Sequence, residues 1–240
     1  MDDLAREILS SGAAGLGIAL DDRQLSALEA FTGLLLEWNA KFNLTRITDP
    51  REIAVRHYLD SLSLLPLVEI KPGSAVIDVG AGAGFPAIPL KIARPDLKMT
   101  MLDSVRKKLT FLDAVVRELH LTDVELIHGR AEDIGRAEGY REQFDLAVSR
   151  AVARLNVLAE FCMPFCRAGG KFVAYKGPEV DEEIKEANRA ISILGGELEA
   201  AHKFALPHSD ARRTLVVIGK LRRTPASYPR KAGVPERNPL

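Results

Sequence analysis

The chain has 240 residues, 47% of them hydrophobic, and Lys plus Arg match Asp plus Glu at 33 each. That size and apolar fraction suit a well-buried domain with an appendage. The even charge balance excludes bulk attraction to nucleic acid or an anionic membrane, so a polyanion must be met by a local patch. The acidic opening "MDDLAREILSSG" lacks the basic start and apolar stretch of a signal peptide, and no apolar run approaches a membrane span. A cytoplasmic protein that engages no membrane is expected. The two cysteines, Cys162 and Cys166, lie in a segment with helical periodicity and offer neither a disulfide framework nor a zinc ligand set. No metal is expected.

In chain order, Leu25, Leu28, Thr32, Leu35, Trp38 and Phe42 recur at helical steps behind an Asp-Asp start. "TDPREIAVRHYLDSLSLL" restarts with Asp-Pro and places Ala54, Tyr58, Leu62 and Leu65 on one helical face. Residues 1–70 therefore read as a helical N-terminal extension, although the first twenty receive no role. After the turn-rich "IKPGSA", short β-branched runs alternate with helical patterns: "AVIDVG", "KMTMLD", "VELIHG", "FDLAVSR" and "KFVAYKG". Such alternation predicts an α/β fold, a mostly parallel sheet covered by helices on both faces. "GELEAAHKFALPH" and "RTLVVIGKL" follow with no helix between them, which requires an antiparallel pair at the end of the sheet. This domain spans 71–221. Residues 222–240 form a basic, proline-rich tail too polar to pack alone.

The stretch "VIDVGAGAGFP" is a strand, a glycine turn and a helix start, at the strand end where doubly wound sheets bind ligands. Gly80, Gly82 and Gly84 permit tight turning and close backbone approach. The dinucleotide fingerprint would need its third glycine at position 85, where Phe85 stands, so a pyrophosphate is poorly matched. Asp78, just before the loop, suits a cationic ligand and repels phosphate. Asp103 ends the second strand, where a carboxylate can accept both hydrogen bonds of a ribose diol; as a helix N-cap it would serve equally. Glu132 and Asp133 follow the third strand, either as adenine-edge partners or as solvated turn acids. Acids at these three places around a glycine loop fit S-adenosylmethionine.

With "EWNAKFNLT" and "RHYLDSL" upstream and "LDSVRKKLTFL", "HGRAED", "SRAVARL", "AYKG" and "YPRKAGVPERNPL" downstream, the sequence resembles the RsmG/GidB family of bacterial small-subunit ribosomal RNA guanine-N7 methyltransferases. The resemblance implies a class I (Rossmann-like) S-adenosylmethionine-dependent methyltransferase sheet. By position it implies cofactor contacts at Gly80, Phe85, Ala131, Glu132 and Arg150.

The residues also narrow the acceptor. No Pro-Pro-aromatic loop of the kind that handles exocyclic amines follows the fourth strand, and no cysteine nucleophile for pyrimidine C5 stands at the strand ends. A ring nitrogen such as guanine N7 needs neither, because its lone pair attacks unaided once aligned. Arg150 is the orienting residue, with no general base expected; an ion pair with Asp145 or Glu132 is the plainer role. Arg46, Arg51, Arg56, His57, Lys176, Arg222, Arg223, Arg230, Lys231 and Arg237 are candidates for gripping 16S ribosomal RNA in the small subunit or its precursor. Solvated helix surface and an untethered tail are the alternatives for the cations, and a core role is the alternative for His57 and Trp38. A small-molecule methyltransferase of the same fold and a non-catalytic, cofactor-sensing RNA-binding module remain open on the residues alone.

Overall fold

The computed structural model describes residues 1–150 and 152–240. Seven strands form one sheet in the order β3-β2-β1-β4-β5-β7-β6. They are β1 (Ala75–Val79), β2 (Lys98–Asp103), β3 (Val124–His128), β4 (Phe144–Arg150), β5 (Cys166–Lys176), β6 (Gly196–Ala205) and β7 (Arg212–Lys220). The first five pair in parallel, whereas β7 runs antiparallel to both β5 and β6. The expected antiparallel strand is thus the last in the chain, inserted between β5 and the edge strand β6. This insertion fixes which end of β7 faces the strand termini: Thr214 is opposite Lys176, while Gly219 is opposite Lys171.

Helices α5 (Ala87–Ala93) and α6 (Arg106–Glu118) cover one face, the short α7 (Ala131–Ile134) follows β3, and α8 (Leu155–Cys162) and α9 (Asp181–Ile193) cover the other face. Pro164 lies between the end of α8 and the start of β5. It cannot continue a helix, so Cys162 ends α8 and Cys166 begins β5 rather than sharing one helix; both thiols are buried and free.

The extension joins the sheet's core. Helix α1 (Asp3–Gly15), in the part of the extension read as helical but given no role, buries Leu9 and Ala13. Helix α2 (Asp22–Phe42) begins at a capping box between Asp21 and Gln24, which satisfies two backbone donors reciprocally. Its Phe31 ring lies 5.9 Å from Tyr58, 5.3 Å from Phe85 and 6.3 Å from Phe111, tying α2 to the glycine loop and to α6. Trp38 packs on Phe111 at 5.7 Å, a core contact.

The helix anticipated from Asp49 onward is not uniform. It opens as α3 (Pro50–Ile53), widens into a π-helical segment (Ala54–Leu59) and closes as α4 (Asp60–Leu62). The Asp60 N–H reaches back to the Val55 carbonyl. The wider turn re-aims the side chains leaving it, and π segments concentrate at functional sites. Among the described residues no helix is long and apolar enough to cross a membrane.

Candidate active site

A cavity of about 480 Å³ opens at the carboxyl ends of β1, β2 and β4. The glycine loop forms its floor, held by Gly80 and Ala81 N–H groups donating to the Leu102 carbonyl at 2.8 and 3.0 Å. Gly80, Gly82 and Gly84 all take positive φ, but they serve different ends. A Cβ on Gly84 would stand 2.7 Å from Ile88 and 2.9 Å from Leu112, so its missing side chain serves packing under the loop. A Cβ on Gly82 would meet nothing nearer than the Gly80 carbonyl oxygen at 3.8 Å. Gly82 lines the cavity and bares its backbone to whatever lies there. Gly80, Phe85, Asp103, Ala131, Glu132 and Arg150 also line it.

Asp103 lines the cavity, but the N-cap of α6 is Val105, with no side-chain cap bond, so the capping role foreseen as its alternative is not the one it takes. Its Oδ1 accepts from Val105 N at 2.8 Å, which orders the entry to α6, and its Oδ2 accepts from Gly82 N at 2.9 Å. A carboxylate has about four acceptor positions, so two bonds leave capacity for a diol. Glu132 is almost fully buried, and its Oε1 accepts from Gly233 N at 2.8 Å. The bared glycine backbone and these carboxylates suit a nucleoside without phosphates, as S-adenosylmethionine is.

Asp78 does not line the cavity. It is fully buried beneath the loop, where Oδ2 accepts from Ala87 N at 3.2 Å at the start of α5. Burial pushes its carboxyl up to about 7, against the pull of the Ala87 N–H. The motif thus uses this acid to support the loop; β-strand alternation aims position 78 inward. An acid raised in the folded chain keeps a proton that the unfolded chain has lost, so its contribution to stability falls as pH rises from about 4 to about 7. Asp78→Asn should abolish that decline, gaining on the order of 4 kcal/mol relative to wild type between pH 4 and pH 8. Denaturant midpoints across that range measure it.

Arg150 leaves β4 at the cavity wall, and its partner is neither Asp145 nor Glu132. Nη1 donates to Asp60 Oδ2 at 2.9 Å and to the Arg56 carbonyl at 3.1 Å. Nη2 donates to His57 Nδ1 at 3.2 Å, and the guanidinium stands 5.1 Å from the centre of the Phe85 ring. Because Nδ1 accepts, the His57 proton resides on Nε2 and is given to Thr45 Oγ1 at 2.9 Å. His57 also stacks on Phe85 at 4.3 Å. Burial and the neighbouring Arg150 hold the imidazole down to about 3. It is therefore neutral at physiological pH, a positioning group with both nitrogens engaged and not a phosphate-gripping cation.

The remaining basic candidates scatter. Arg46 is exposed beside Leu44 and Thr45, which line the cavity. Arg56 is exposed with Glu52 at 3.6 Å, and Arg51 pairs with Asp2 at 3.1 Å. Lys176 is held by Glu183 and the Ala153 carbonyl, each at 2.7 Å. Arg222 and Arg223 follow the far end of β7, at the sheet edge opposite the cavity, because β7 runs antiparallel. Arg230 is locked to the buried Glu160, with Nη2 2.6 Å from Oε2, and so anchors the tail. Lys231 is exposed, and exposed Arg237 donates to the Gly233 carbonyl at 3.0 Å.

The tail itself is tethered, not loose. Arg141 donates to the Thr224 and Tyr228 carbonyls, each at 2.8 Å, and the short α10 (Val234–Arg237) carries Glu236 to the cavity. Reading the sequence missed Glu236, Thr45 and Lys108 at this cavity, since no local pattern distinguishes them from surface residues. Among the described residues no group of acids, histidines or cysteines could hold a metal ion.

Residues 24–215 match the family model GidB, described as rRNA small subunit methyltransferase G. The chain belongs to the GidB family. Relatives named ribosomal RNA small subunit methyltransferase G agree over almost the whole length. That of Alkaliphilus oremlandii is 48% identical over 98% of each chain, and that of Thermoanaerobacter sp. is 48% identical over 100% of each. Among solved structures, TrmN from Thermus thermophilus superposes with a TM-score of 0.54 at 16% identity, covering 70% of this GidB chain and 53% of that one. M. jannaschii TYW2 in complex with AdoMet gives 0.51 at 15%, covering 64% and 70%. The GidB chain thus has the class I methyltransferase fold.

Proposed function

We propose that this chain transfers a methyl group from S-adenosylmethionine to N7 of a guanine in 16S ribosomal RNA, in the cytoplasm, within the small subunit or its precursor. The observation that supports it most is the coincidence of full-length membership of the GidB family with a cavity built at the glycine loop. Residues 71–221 carry the transfer, the 1–70 extension supplies the His57 wall, and the 222–240 tail supplies Glu236. The bound cofactor supplies a methyl group activated by a sulfonium. Asp103 accepts from the ribose hydroxyls, Glu132 and Ala131 meet the adenine edge, and Gly80, Gly82 and Phe85 form the surface on which the nucleoside lies. Arg150, fixed by Asp60 and His57, orients the reacting partners and does not remove a proton.

Incubating labelled cofactor with small subunits stripped of methylation tests this reading. Label should enter 16S RNA at one guanine, and none should enter a metabolite extract. Affinity for RNA should also fall steeply with salt while affinity for the cofactor barely moves. Arg46→Gln or Lys231→Gln should each lower the log–log salt slope for RNA by roughly one. Arg230→Gln should instead loosen the tail, read as faster proteolysis at residues 222–240, because its charge is already satisfied by Glu160.

A further inference from the structure

His57 and Arg150 form a wall shared between the cofactor cavity and a second cleft of about 420 Å³, bounded also by Asp60, Tyr175, Lys176 and Arg213. Asp60 follows the π segment directly and is 3% exposed. Its two carboxylate oxygens differ. Oδ2 accepts from Arg150, whereas Oδ1 is buried and accepts no hydrogen bond, although Arg213 Nε lies 3.2 Å from it. The Arg213 ion pair compensates its charge, but a buried carboxylate oxygen with no hydrogen bond still calls for an explanation. Arg213 reaches over from β7 with its side chain 27% exposed, long enough and free enough to swing aside.

We propose that this cleft is the acceptor subsite and that Asp60 Oδ1 reads the N1–H and N2–H donors of guanine, with Arg213 as its movable cover. The proposal rests on the reading that guanine is the base methylated. Among the four RNA bases only guanine places a ring N–H beside an amino group on one edge. Adenine and cytosine turn a lone pair toward the carboxylate there, and uracil has no amino group. Holding guanine by N1 and N2 also leaves N7, on a different edge, unobstructed. The same carboxylate fixes Arg150 through its other oxygen, so base recognition and the shared wall are joined in one side chain.

The test uses the full-length protein and reassembled small subunits whose 16S RNA carries either guanosine or inosine at the methylated position. Inosine keeps N7, O6 and N1–H and lacks only the N2 amino group. Wild type should show kcat/KM roughly 10- to 100-fold lower on inosine, as expected for losing a hydrogen bond to a buried charge. In Asp60→Asn the guanosine rate should fall while the guanosine-to-inosine ratio shrinks to near one, with the fold intact by far-UV circular dichroism. A wild-type ratio near one overturns the Asp60 assignment without any variant. So does a variant that is slower on both substrates but keeps the wild-type ratio, since that describes a carboxylate acting only through Arg150. Failure of wild type to methylate guanosine subunits at all overturns the underlying reading instead, a separate result.

Discussion

Replacing Gly82 by valine should lower the affinity for S-adenosylmethionine by about 100-fold or more while leaving the secondary structure in place. Gly82 has φ of 58°, a region that costs a β-branched residue about 1–3 kcal/mol. That strain acts on the loop, because the Gly82 N–H is what binds Asp103 Oδ2, and a shifted loop moves the carboxylate we propose for the ribose. The side chain would also project where the protein has no atoms, since its first carbon meets nothing nearer than 3.8 Å. The fold has no contact there to lose, but a nucleoside lying on the loop does. Gly84→Val is the matched contrast: its first carbon would collide with Ile88 and Leu112 in the core, so it should destabilise the fold. Calorimetric titration with far-UV circular dichroism separates the two. Unchanged affinity in a folded Gly82→Val chain would remove the cofactor from this loop.

Periodicity and turn chemistry made all seven strands and the long helices legible, because each strand is bounded by glycine, proline or acid turns and β1, β2 and β4 are apolar and buried nearly throughout. Gly80, Gly82, Asp103 and Glu132 were legible for the same reason, since each ends a parallel strand or closely follows one, whereas Phe85 was placed at the cavity only by the family resemblance. Asp78 misled because the motif names an acid but not its direction; a strand residue points to one face, and here that face is the core. What could not be read is whatever depends on distant segments meeting. Asp60 and Arg150 are ninety positions apart in the chain, and Arg213 reaches them only because β7 inserts antiparallel beside β5. The tail, read as too polar to pack alone, is held by Arg141, Glu160 and Glu132, none of which announces a partner in its own neighbourhood, and these bonds seat the tail's Tyr228 and Leu240 against the core.

Methyl transfer should stop at the target when its guanine is replaced by 7-deazaguanine, a loss limited only by detection, and Arg150→Ala should slow transfer to normal RNA by about 100-fold without removing it. Guanine N7 carries a lone pair and no hydrogen at neutral pH, so its attack releases no proton and needs alignment alone, which is worth many powers of ten when a partner is held in place. The site matches that demand. His57 is the imidazole at the wall, and it is held neutral with one nitrogen accepting from Arg150 and the other donating to Thr45. Since it titrates near 3, it adds no acidic limb to the single-turnover rate between pH 6 and 9. Arg150 cannot act as a base at these pH values, and its bonds to Asp60, His57 and the Arg56 carbonyl describe a fixed donor array at the cavity wall. Removing it leaves Asp60 without its 2.9 Å partner, so the alanine variant should be compared with Arg150→Lys, which keeps the charge but loses the fork and should recover only part of the rate. The deaza substitution preserves the pairing edge, including N1 and N2, and changes only the nucleophile. Transfer to that RNA at the same position would therefore move the assignment from N7 to another atom, whatever the arginine variants show.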